Sequence, residues 1–468
     1  METLSWRRTN LALPLTVGTL SAAAVLAPDT PSRLAIVVPC LAAMLGLWCL
    51  QGPQRWVWAF FFCLLLAPPL PFPLGDTGIH IAPALALLGV LVGLVRLPEW
   101  RLSLPPVALA LLAFLAVITM SAGMAAFYSG AVLALGSALR VGLFGIGVYV
   151  FLYALLGPRD PGTDSTRGFR YLFFLGMIAA LFGCVDYYYQ LPAPAGFGAQ
   201  YIWLEEGMFR RAQGLFYEAS TLGNFSAFFL VMIAVAWFRP SGETPCSRPL
   251  LLTGGLLFGG ALALSWSRAS VLNVLVACTV LMLRRKTRIG RLLIGAAVAI
   301  PVGVLALQTL LPSVAASYWT RLARSVQYLG YSPDGVLSGR LTHWMAIADF
   351  LIREPWHAIL GIGYKTLPYT NVTGAPVIAD NTWLSLLAET GLVGVAVFAV
   401  LNWQILRTSL QAARSARPSA SFAGEWMFCF WAGELVQMLS GDLITYWRVL
   451  PVYFWVLGTA IREAREAS

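Results

Sequence analysis

Charged residues are scarce in this chain of 468 residues: Asp, Glu, Lys and Arg make up 11% of it, whereas hydrophobic residues make up 59%. Soluble domains usually have about a quarter of their residues charged, so the composition excludes a set of soluble domains. It also excludes disordered, collagen-like, coiled-coil and disulfide-stapled chains. Apolar runs of about 20 residues, the length that crosses a bilayer, occupy most of the sequence, which therefore predicts an integral membrane protein.

Potential metal ligands are few, with seven cysteines and three histidines. Six of the cysteines lie inside apolar runs without the spacing of metal ligands, and they are interpreted as small core residues. The histidines, His80, His343 and His357, have no Cys or acidic partners at ligand spacing. We therefore predict no metal site and no other cofactor.

The net charge of +10 at pH 7 could indicate a nucleic-acid partner. Most basic residues, however, lie in short loops between apolar runs, where they orient a membrane protein because positively charged loops stay in the cytoplasm. The predicted surroundings are therefore membrane lipids and no nucleic acid.

Long apolar runs bounded by charges, Pro or Gly predict an all-α, polytopic integral membrane protein with about fourteen transmembrane helices. Eleven of them fall in residues 1–311, a large outer loop follows at 312–380, and three more fall in residues 381–468. The alternation of Arg-rich loops predicts that both termini are cytoplasmic. The run Leu11 to Ala27 resembles a signal peptide, but Pro28 at the plausible cleavage position and the many later spans favour a retained first helix.

The large outer loop is longer than a simple connector, and loops of this length often carry function. Ser338 is predicted to cap an amphipathic helix whose apolar stripe includes Trp344 and Leu351, and Pro355 is predicted to end it. Such a helix is expected on the bilayer surface or across the mouth of the helix bundle.

Ionisable side chains inside membrane spans are costly and are therefore functional candidates. In the predicted orientation all of them lie in the outer halves of their helices, and the inner halves carry almost none. Ion pairs that only hold helices together are the alternative for any single residue. The candidates are Arg140, Asp186, Glu218, Arg268, Glu389, Glu434 and Arg448.

Two arginines, Arg210 and Arg211, directly precede a predicted span that begins at Tyr217 and Glu218. Amide groups at a helix start and bidentate guanidinium groups both bind phosphate oxygens, so this pattern suits a polyanion at the membrane surface. Anchoring of the arginines in the membrane interface is the alternative.

A tight turn from Ser265 to Ser270 joins two spans on the same outer face and contains Arg268. If the turn is recessed, Arg268 needs an anionic partner, for which a diphosphate would suffice. Pairing with Glu218 or Glu389 inside the bundle is the alternative.

A third segment contains Gly339-Arg340, the turn Gly361-Ile362-Gly363, the polar pair Asp380-Asn381 that opens a span, and Glu389-Thr390-Gly391. Together with the two arginine segments, in this order and on one face, these motifs resemble the O-antigen ligase and polymerase superfamily (Wzy and WaaL). The resemblance covers roughly the second half of the chain.

The resemblance implies a metal-independent, GT-C-like glycosyltransferase of the bacterial inner membrane that works at the periplasmic face on a glycan linked to undecaprenyl diphosphate. The arginines of the family correspond here to Arg210 or Arg211, Arg268 and Arg340, which would hold the diphosphate. Ligases carry a histidine at the position of Asp380. Because that histidine is absent, the comparison favours a polymerase, and polymerases of this sort often act with a separate chain-length regulator.

Displacement of a sugar from a diphosphate develops negative charge on the leaving phosphate, which fixed guanidinium groups stabilise. A carboxylate near the acceptor hydroxyl can take its proton, and Asp380 is the first candidate for this base, with Glu218 second. Capping of the helix that begins near Thr382 is the alternative role of Asp380. His343 lies one helical turn after Arg340 and shares its face. The predicted substrate-binding set is Arg210, Arg211, Arg340, Arg140, His343, Tyr217 and Asn381.

The leading prediction is an inverting polysaccharide polymerase that joins lipid-linked repeat units of O-antigen or exopolysaccharide. An O-antigen ligase that transfers the finished glycan to lipid A core is the alternative within the same class. A lipid-linked sugar flippase is a third reading, but it should carry ionisable residues along a whole pathway through the membrane.

Overall fold

The computed structural model describes residues 29–70, 79–159, 164–191, 198–204, 207–216, 218–285, 305, 308–309, 312–328 and 339–467. The predicted first span, Tyr217, Ser338 and most of the run Leu292 to Leu311 lie outside these residues. The described helices are α1 (Thr30–Gln51), α2 (Arg55–Leu66), α3 (Ala82–Val95), α4 (Pro106–Ser129), α5 (Ala131–Leu156), α6 (Ser165–Tyr189), α7 (Ala219–Trp237), α8 (Arg248–Leu264), α9 (Arg268–Arg284), α10 (Pro312–Tyr328), α11 (Arg340–Arg353), α12 (Trp356–Leu360), α13 (Thr382–Ala412), α14 (Pro418–Gln437) and α15 (Leu450–Glu466).

Five of the described helices, α4, α5, α6, α7 and α13, are long and apolar enough to cross a membrane. Shorter apolar helices, among them α2, α3 and α8, accompany them. This confirms the prediction of a helical membrane protein. The count of about fourteen spans and the cytoplasmic position of both termini stay predictions.

The described residues are mostly helical, which confirms the prediction of an all-α membrane protein. A short antiparallel hairpin lies between α6 and α7. Strand β1 (Tyr201–Leu204) pairs with β2 (Gly207–Arg210), so that Tyr201 lies opposite Arg210. Aromatic and branched residues favour strands, but four residues are too few to give a recognisable alternation. The hairpin matters because Arg210 is its last residue and Arg211 follows it, so the two neighbouring arginines have different surroundings.

The centre of the bundle is aromatic. Trp426 of α14 packs against Phe228 of α7, with ring centroids 4.2 Å apart, and its indole nitrogen donates to the Phe228 carbonyl at 2.8 Å. Tyr453 of α15 lies on the other side of Phe228 at 4.4 Å. Rings of this size supply most of the buried area in such a core.

The amphipathic helix of the large loop forms as predicted and ends at Arg353, just before Pro355, which is the N-cap of the following helix α12. Its N-cap is Gly339 and not Ser338 as predicted. Its apolar stripe, including Ile347 and Leu351, is buried against Ile362 and Ala388. The helix therefore packs across the mouth of the bundle.

The end of the bundle opposite this mouth also carries buried charge, so the expectation of nearly uncharged inner halves is wrong. Glu425 of α14 is buried and pairs with Arg239 at 2.9 Å and with Arg285. Glu463 of α15 lies 3.7 Å from Arg159. These carboxylates are neutralised by arginines of the loops at that end, which allows them to be buried.

A kink in α13 connects the fold to the site. Gly391 has φ 70° and ψ −173°, which a residue with a side chain rarely adopts. A Cβ at this position would lie 2.0 Å from the Ile359 carbonyl oxygen. The kink frees the Glu389 carbonyl, which accepts hydrogen bonds from the Gly363 amide at 3.0 Å and the Ser121 hydroxyl at 2.7 Å.

We expect Gly391→Ala to destabilise the protein by more than Gly374→Ala. Both glycines have positive φ, so both substitutions carry a strain of about 1–3 kcal/mol, but a Cβ at Gly374 meets nothing within 4 Å. The additional loss of stability in Gly391→Ala therefore measures the close contact with Ile359. Thermal unfolding in detergent measures both, and equal melting temperatures for the two variants would contradict the close approach.

Candidate functional site

A cavity of about 390 Å³ opens where several helices begin. It lies at the N-terminal ends of α7 and α13 and beside the first half of α5. Helix starts carry a partial positive charge and free amide groups, so this end of the bundle is suited to polar ligands. Its charged lining residues are Arg140, Glu218, Lys365, Asp380, Glu389, Asp442 and Arg448, and His80 also lines it.

Glu218 is the N-cap residue of α7 and projects into the cavity. Its two carboxylate oxygens accept hydrogen bonds from the Ser220 hydroxyl at 2.9 Å and the Thr221 hydroxyl at 2.6 Å. Burial raises the pKa of Glu218, while these hydrogen bonds and the charge of Arg211 lower it and the charge of Asp380 raises it further. The carboxylate is therefore oriented and more basic than an exposed glutamate.

Asp380 lies at the cavity mouth and pairs with Arg340 of α11, with 3.2 Å between Oδ2 and Nε. It does not cap α13. That role belongs to Asn381, whose side-chain oxygen accepts from the Leu384 amide at 3.1 Å. The capping alternative for Asp380 is therefore wrong by one residue, because Asp380 has φ 44° and precedes the extended N-cap residue.

The serine turn before α9 contacts one arginine and is followed by another. The Ser265 carbonyl accepts from Arg211 Nε at 2.9 Å. Ser267 caps α9 by accepting from the Ser270 amide, and Arg268 is the first residue of that helix. Trp266 of the turn stacks on Tyr318 of α10 with 4.1 Å between ring centroids, which holds the turn against the large loop.

Arg340 completes a group of three arginines. Its charge acts on both Arg211 and Arg268, and its own carboxylate partner is Asp380. We call Arg211, Arg268 and Arg340 the arginine cluster. It adjoins the cavity through the two carboxylates Glu218 and Asp380, and like charges gathered in this way are suited to a polyanion.

The turn is recessed, since Ser265, Trp266 and Ser267 are buried, but the side chain of Arg268 is exposed at the start of α9. The two proposed carboxylate partners are engaged elsewhere: Glu389 pairs with Lys365 at 4.0 Å, and the arginine that acts on Glu218 is Arg211. An exposed guanidinium at a helix start remains accessible to a ligand.

Arg210 and Arg211 have different surroundings. Arg210 ends β2 and is held in a 2.9 Å ion pair with Asp186 of α6, which also accepts from the Gly214 amide at 3.2 Å. Adjacent residues of a strand point to opposite sides, so Arg211 faces the serine turn. Arg210 therefore belongs to a buried ion pair, whereas Arg211 belongs to the arginine cluster.

Two further predicted residues lie away from the cavity lining. His343 is exposed on α11, although it shares the helix with Arg340. Glu434 is buried in α14, where one oxygen accepts from Asn224 and from Asn273 at 2.7 Å each. The role of Glu434 is to hold α7, α9 and α14 together.

Arg140 and Arg448 do line the cavity, as their predicted positions in the outer halves of their helices suggested. Arg140 lies over the Tyr369 ring at 4.7 Å and donates to the Lys365 carbonyl at 3.3 Å. Arg448 is buried and donates to the backbone carbonyls of Leu64, Ala67 and Leu215.

The sequence analysis missed three lining residues. Lys365 is buried between Asp442 Oδ2 and Glu389. His80 contacts the Ala67 carbonyl through Nε2 at 3.0 Å and accepts from the Ala82 amide at Nδ1. Lys365 lies two residues after Gly363 of the Gly361-x-Gly363 turn, and Asp442 directly follows a glycine between the last two helices. Charges beside such turns were the available signal.

No group of three or more His, Cys, Asp or Glu side chains that could hold a metal occurs among the residues that the structure describes. Charge compensation at the described site is supplied by guanidinium and ammonium groups.

Residues 253–399 match the family model described as Wzy_C, O-antigen ligase. The match confirms the resemblance to the O-antigen ligase and polymerase superfamily, and it spans Arg268, Arg340, Lys365, Asp380 and Glu389. It supports an enzyme with O-antigen ligase or polymerase type activity in general, acting on a lipid-linked oligosaccharide in the membrane. No curated protein matches the chain.

Proposed function

We propose that this protein is a metal-independent polysaccharide polymerase that transfers a glycan from undecaprenyl diphosphate to a second lipid-linked repeat unit. The observation that carries the proposal is the arginine cluster next to two carboxylates at the mouth of a polar cavity. In the proposed topology this mouth faces the periplasm from the bacterial inner membrane. The loop 312–380 supplies Arg340, Lys365 and Asp380. It connects the two transmembrane parts, residues 1–311 and 381–468.

The arginine cluster is proposed to hold the diphosphate of the donor. Arg211 is fixed by the Ser265 carbonyl, and Arg268 begins α9, so the phosphate oxygens meet both guanidinium groups and the start of a helix. Preorganised cations at the leaving group stabilise the charge that develops in the transition state. This is the contribution that a metal ion makes in other transferases.

Glu218 is our proposed base, and Asp380 is proposed to adjust its pKa. From the sequence alone, Asp380 was the first candidate for the base and Glu218 the second. Asp380 is already engaged by Arg340 at 3.2 Å. Glu218 has a raised pKa and is oriented by Ser220 and Thr221. A base works best when its pKa approaches the working pH.

In the proposed step the acceptor hydroxyl oxygen attacks the anomeric carbon of the donor sugar from the side opposite the diphosphate. The bond from that carbon to the phosphate oxygen breaks, and its electron pair leaves with undecaprenyl diphosphate. The hydroxyl proton moves to Glu218. One glycosidic bond is formed with inversion, and no oxidant or further reactant is required.

A polymerase is favoured over a ligase because the cavity lining offers no histidine that is set up as a base. His80 lines the cavity, but both of its ring nitrogens are engaged, and His343 is exposed on α11. A flippase is disfavoured because the aromatic centre around Trp426 lies between the cavity and the charges at the opposite end, and Glu425 there is neutralised by Arg239 and Arg285. Chain length is assigned to a separate regulator.

We expect the purified protein, with EDTA present, to convert a matching undecaprenyl diphosphate oligosaccharide into a ladder of longer lipid-linked glycans. Arg268→Ala should reduce this product at least about 100-fold, the scale of losing one group that stabilises a developing charge. Arg268→Lys should also fail, because the bidentate fork is lost. Product size on gels is the measurement.

Arg353→Ala is the control for these variants, since Arg353 is exposed on the same large loop in the last turn of α11. It should retain wild-type product. Wild-type ladders from Arg268→Ala would remove Arg268 from the mechanism. Consumption of donor only when lipid A core is added would identify a ligase, and a requirement for an added divalent metal would refute the metal-independent step.

We expect Glu218→Gln to lower the turnover number at least about 100-fold, as the loss of a general base does. The wild-type rate should fall as the pH drops through the raised pKa of Glu218, because only the carboxylate accepts the proton. Asp380→Asn should move this fall in rate, the acidic limb of the pH profile, to lower pH, because it removes a charge that raises the pKa of Glu218. Thr221→Val should move it to higher pH, since it removes a hydrogen bond that lowers the pKa.

The pH dependence of the rate at saturating substrate is the measurement for these variants. A larger loss in Asp380→Asn than in Glu218→Gln, with an unchanged limb in Thr221→Val, would make Asp380 the base.

A further inference from the structure

Gln200 connects the two parts of the proposed site. It directly precedes β1 and lines the cavity beside Glu218. Its backbone carbonyl accepts from the Arg211 amide at 2.8 Å, and its side-chain Oε1 accepts from the Ala219 amide at 3.0 Å. Arg211 belongs to the arginine cluster and Ala219 follows the proposed base, so Gln200 lies where the base and the cluster meet.

The orientation of this side chain follows from its partner. A backbone N–H only donates, so the oxygen of the Gln200 side-chain amide faces Ala219 and its Nε2 points away. Nε2 is a donor with no acceptor among the residues that the structure describes. Gln200 is half-buried, and this nitrogen is not sealed from its surroundings. A ligand in the cavity can therefore accept a hydrogen bond from it.

The segment that carries Gln200 is fixed before a ligand binds. Gln213 is 2% exposed; its Oε1 accepts from the backbone amide of Gln200 at 3.0 Å, and its Nε2 donates to the Gly198 carbonyl at 3.1 Å. Both ends of one buried side chain thus hold residues 198–200. A donor held in this way loses little conformational freedom when it binds.

The place of Gln200 selects one part of the substrate. In the proposed step the transferred sugar is bonded to the diphosphate on one side and attacked from the other, so it lies between the arginine cluster and Glu218. Tyr446 lies at the same junction: it is 4% exposed, it lines the cavity, and its hydroxyl interacts electrostatically with both Glu218 and Arg211. An aromatic wall and a side-chain amide donor are suited to a sugar.

We propose that Gln200 recognises the transferred sugar, and that its Nε2 donates a hydrogen bond to an uncharged oxygen of that sugar, a hydroxyl or an amide carbonyl. Tyr446 forms the wall of the same subsite. The inference rests on the proposed function and deepens it by naming a residue that binds the sugar of the donor, whereas the arginine cluster binds its diphosphate.

Two ligands separate the sugar from the diphosphate: lipid-linked repeat units extracted from the host cells, and undecaprenyl diphosphate without a sugar. The Kd of each is measured by calorimetry on the full-length protein with EDTA, in a Glu218→Gln background so that no transfer occurs. The octyl glycoside of the repeat unit is added in excess to fill the place of the acceptor. The sugar ratio, the Kd of the bare lipid divided by that of the repeat unit, cancels effects on the diphosphate.

Two substitutions separate recognition from a structural role. Gln200→Glu keeps an oxygen for the Ala219 amide but removes the donor, whereas Gln200→Met removes both. Each should lower the sugar ratio about fivefold, the scale of one hydrogen bond. In thermal unfolding in detergent, Gln200→Glu should melt like the wild type. Gln200→Met should melt at a lower temperature, because the first amide of α7 loses its acceptor.

Gln190→Glu is the matched control, since Gln190 is exposed at the C-cap of α6. It makes the same chemical change and should leave both the sugar ratio and the melting temperature at the wild-type value.

The outcomes distinguish the two proposals. If the protein with Glu218 intact makes no product, but the sugar ratio is high and falls in both Gln200 variants, the proposed function fails and the sugar site stands. If the protein is active while Gln200→Glu keeps the ratio, Gln200 only holds the start of α7 and the subsite is wrong. A ratio near one before either substitution would also overturn it.

Discussion

The buried ammonium group of Lys365 is the interaction on which the cavity depends. It lies between Asp442, in the loop before α15, and Glu389, in α13. A charge at this depth is tolerated only with charged partners close by, so Lys365 ties the large loop to α13 and to the segment between α14 and α15. The kink at Gly391 makes the contact possible, because it releases the Glu389 carbonyl to the Gly363 amide and brings the turn before Lys365 against α13.

The two carboxylates Glu218 and Asp380 stand between two groups of charges at this end of the protein. The arginine cluster lies on one side, and the cavity, where Arg140, Lys365 and Arg448 accompany Glu389 and Asp442, lies on the other. A glycosyl transfer needs this order: cations where the leaving group gathers charge, a base beside the attacking hydroxyl, and a pocket that places the acceptor.

Much of the site could be predicted because charges inside apolar runs are rare. Glu218, Glu389, Arg140 and Arg448 were identified in this way, and all four line the cavity. Asp442 was missed because it lies in a loop, where a charge costs little and gives no signal until the loop is known to be buried.

Neighbouring residues were harder to separate. Arg210 and Arg211 are equivalent in the sequence, and only the hairpin directs one to Asp186 and the other to the serine turn. The N-cap of α13 differed from the prediction by one position for a similar reason, since a left-handed Asp380 shifts the cap to Asn381. Backbone geometry of this kind depends on tertiary contacts that local patterns do not encode.

The central claim is that the arginine cluster binds the diphosphate. An electron cryo-microscopy map of the full-length protein with undecaprenyl diphosphate, in EDTA, tests it most directly. The account predicts density for the two phosphates between Arg211, Arg268 and Arg340. Phosphate density inside the cavity beside Arg140 and Lys365, or at the opposite end beside Arg239, would contradict it.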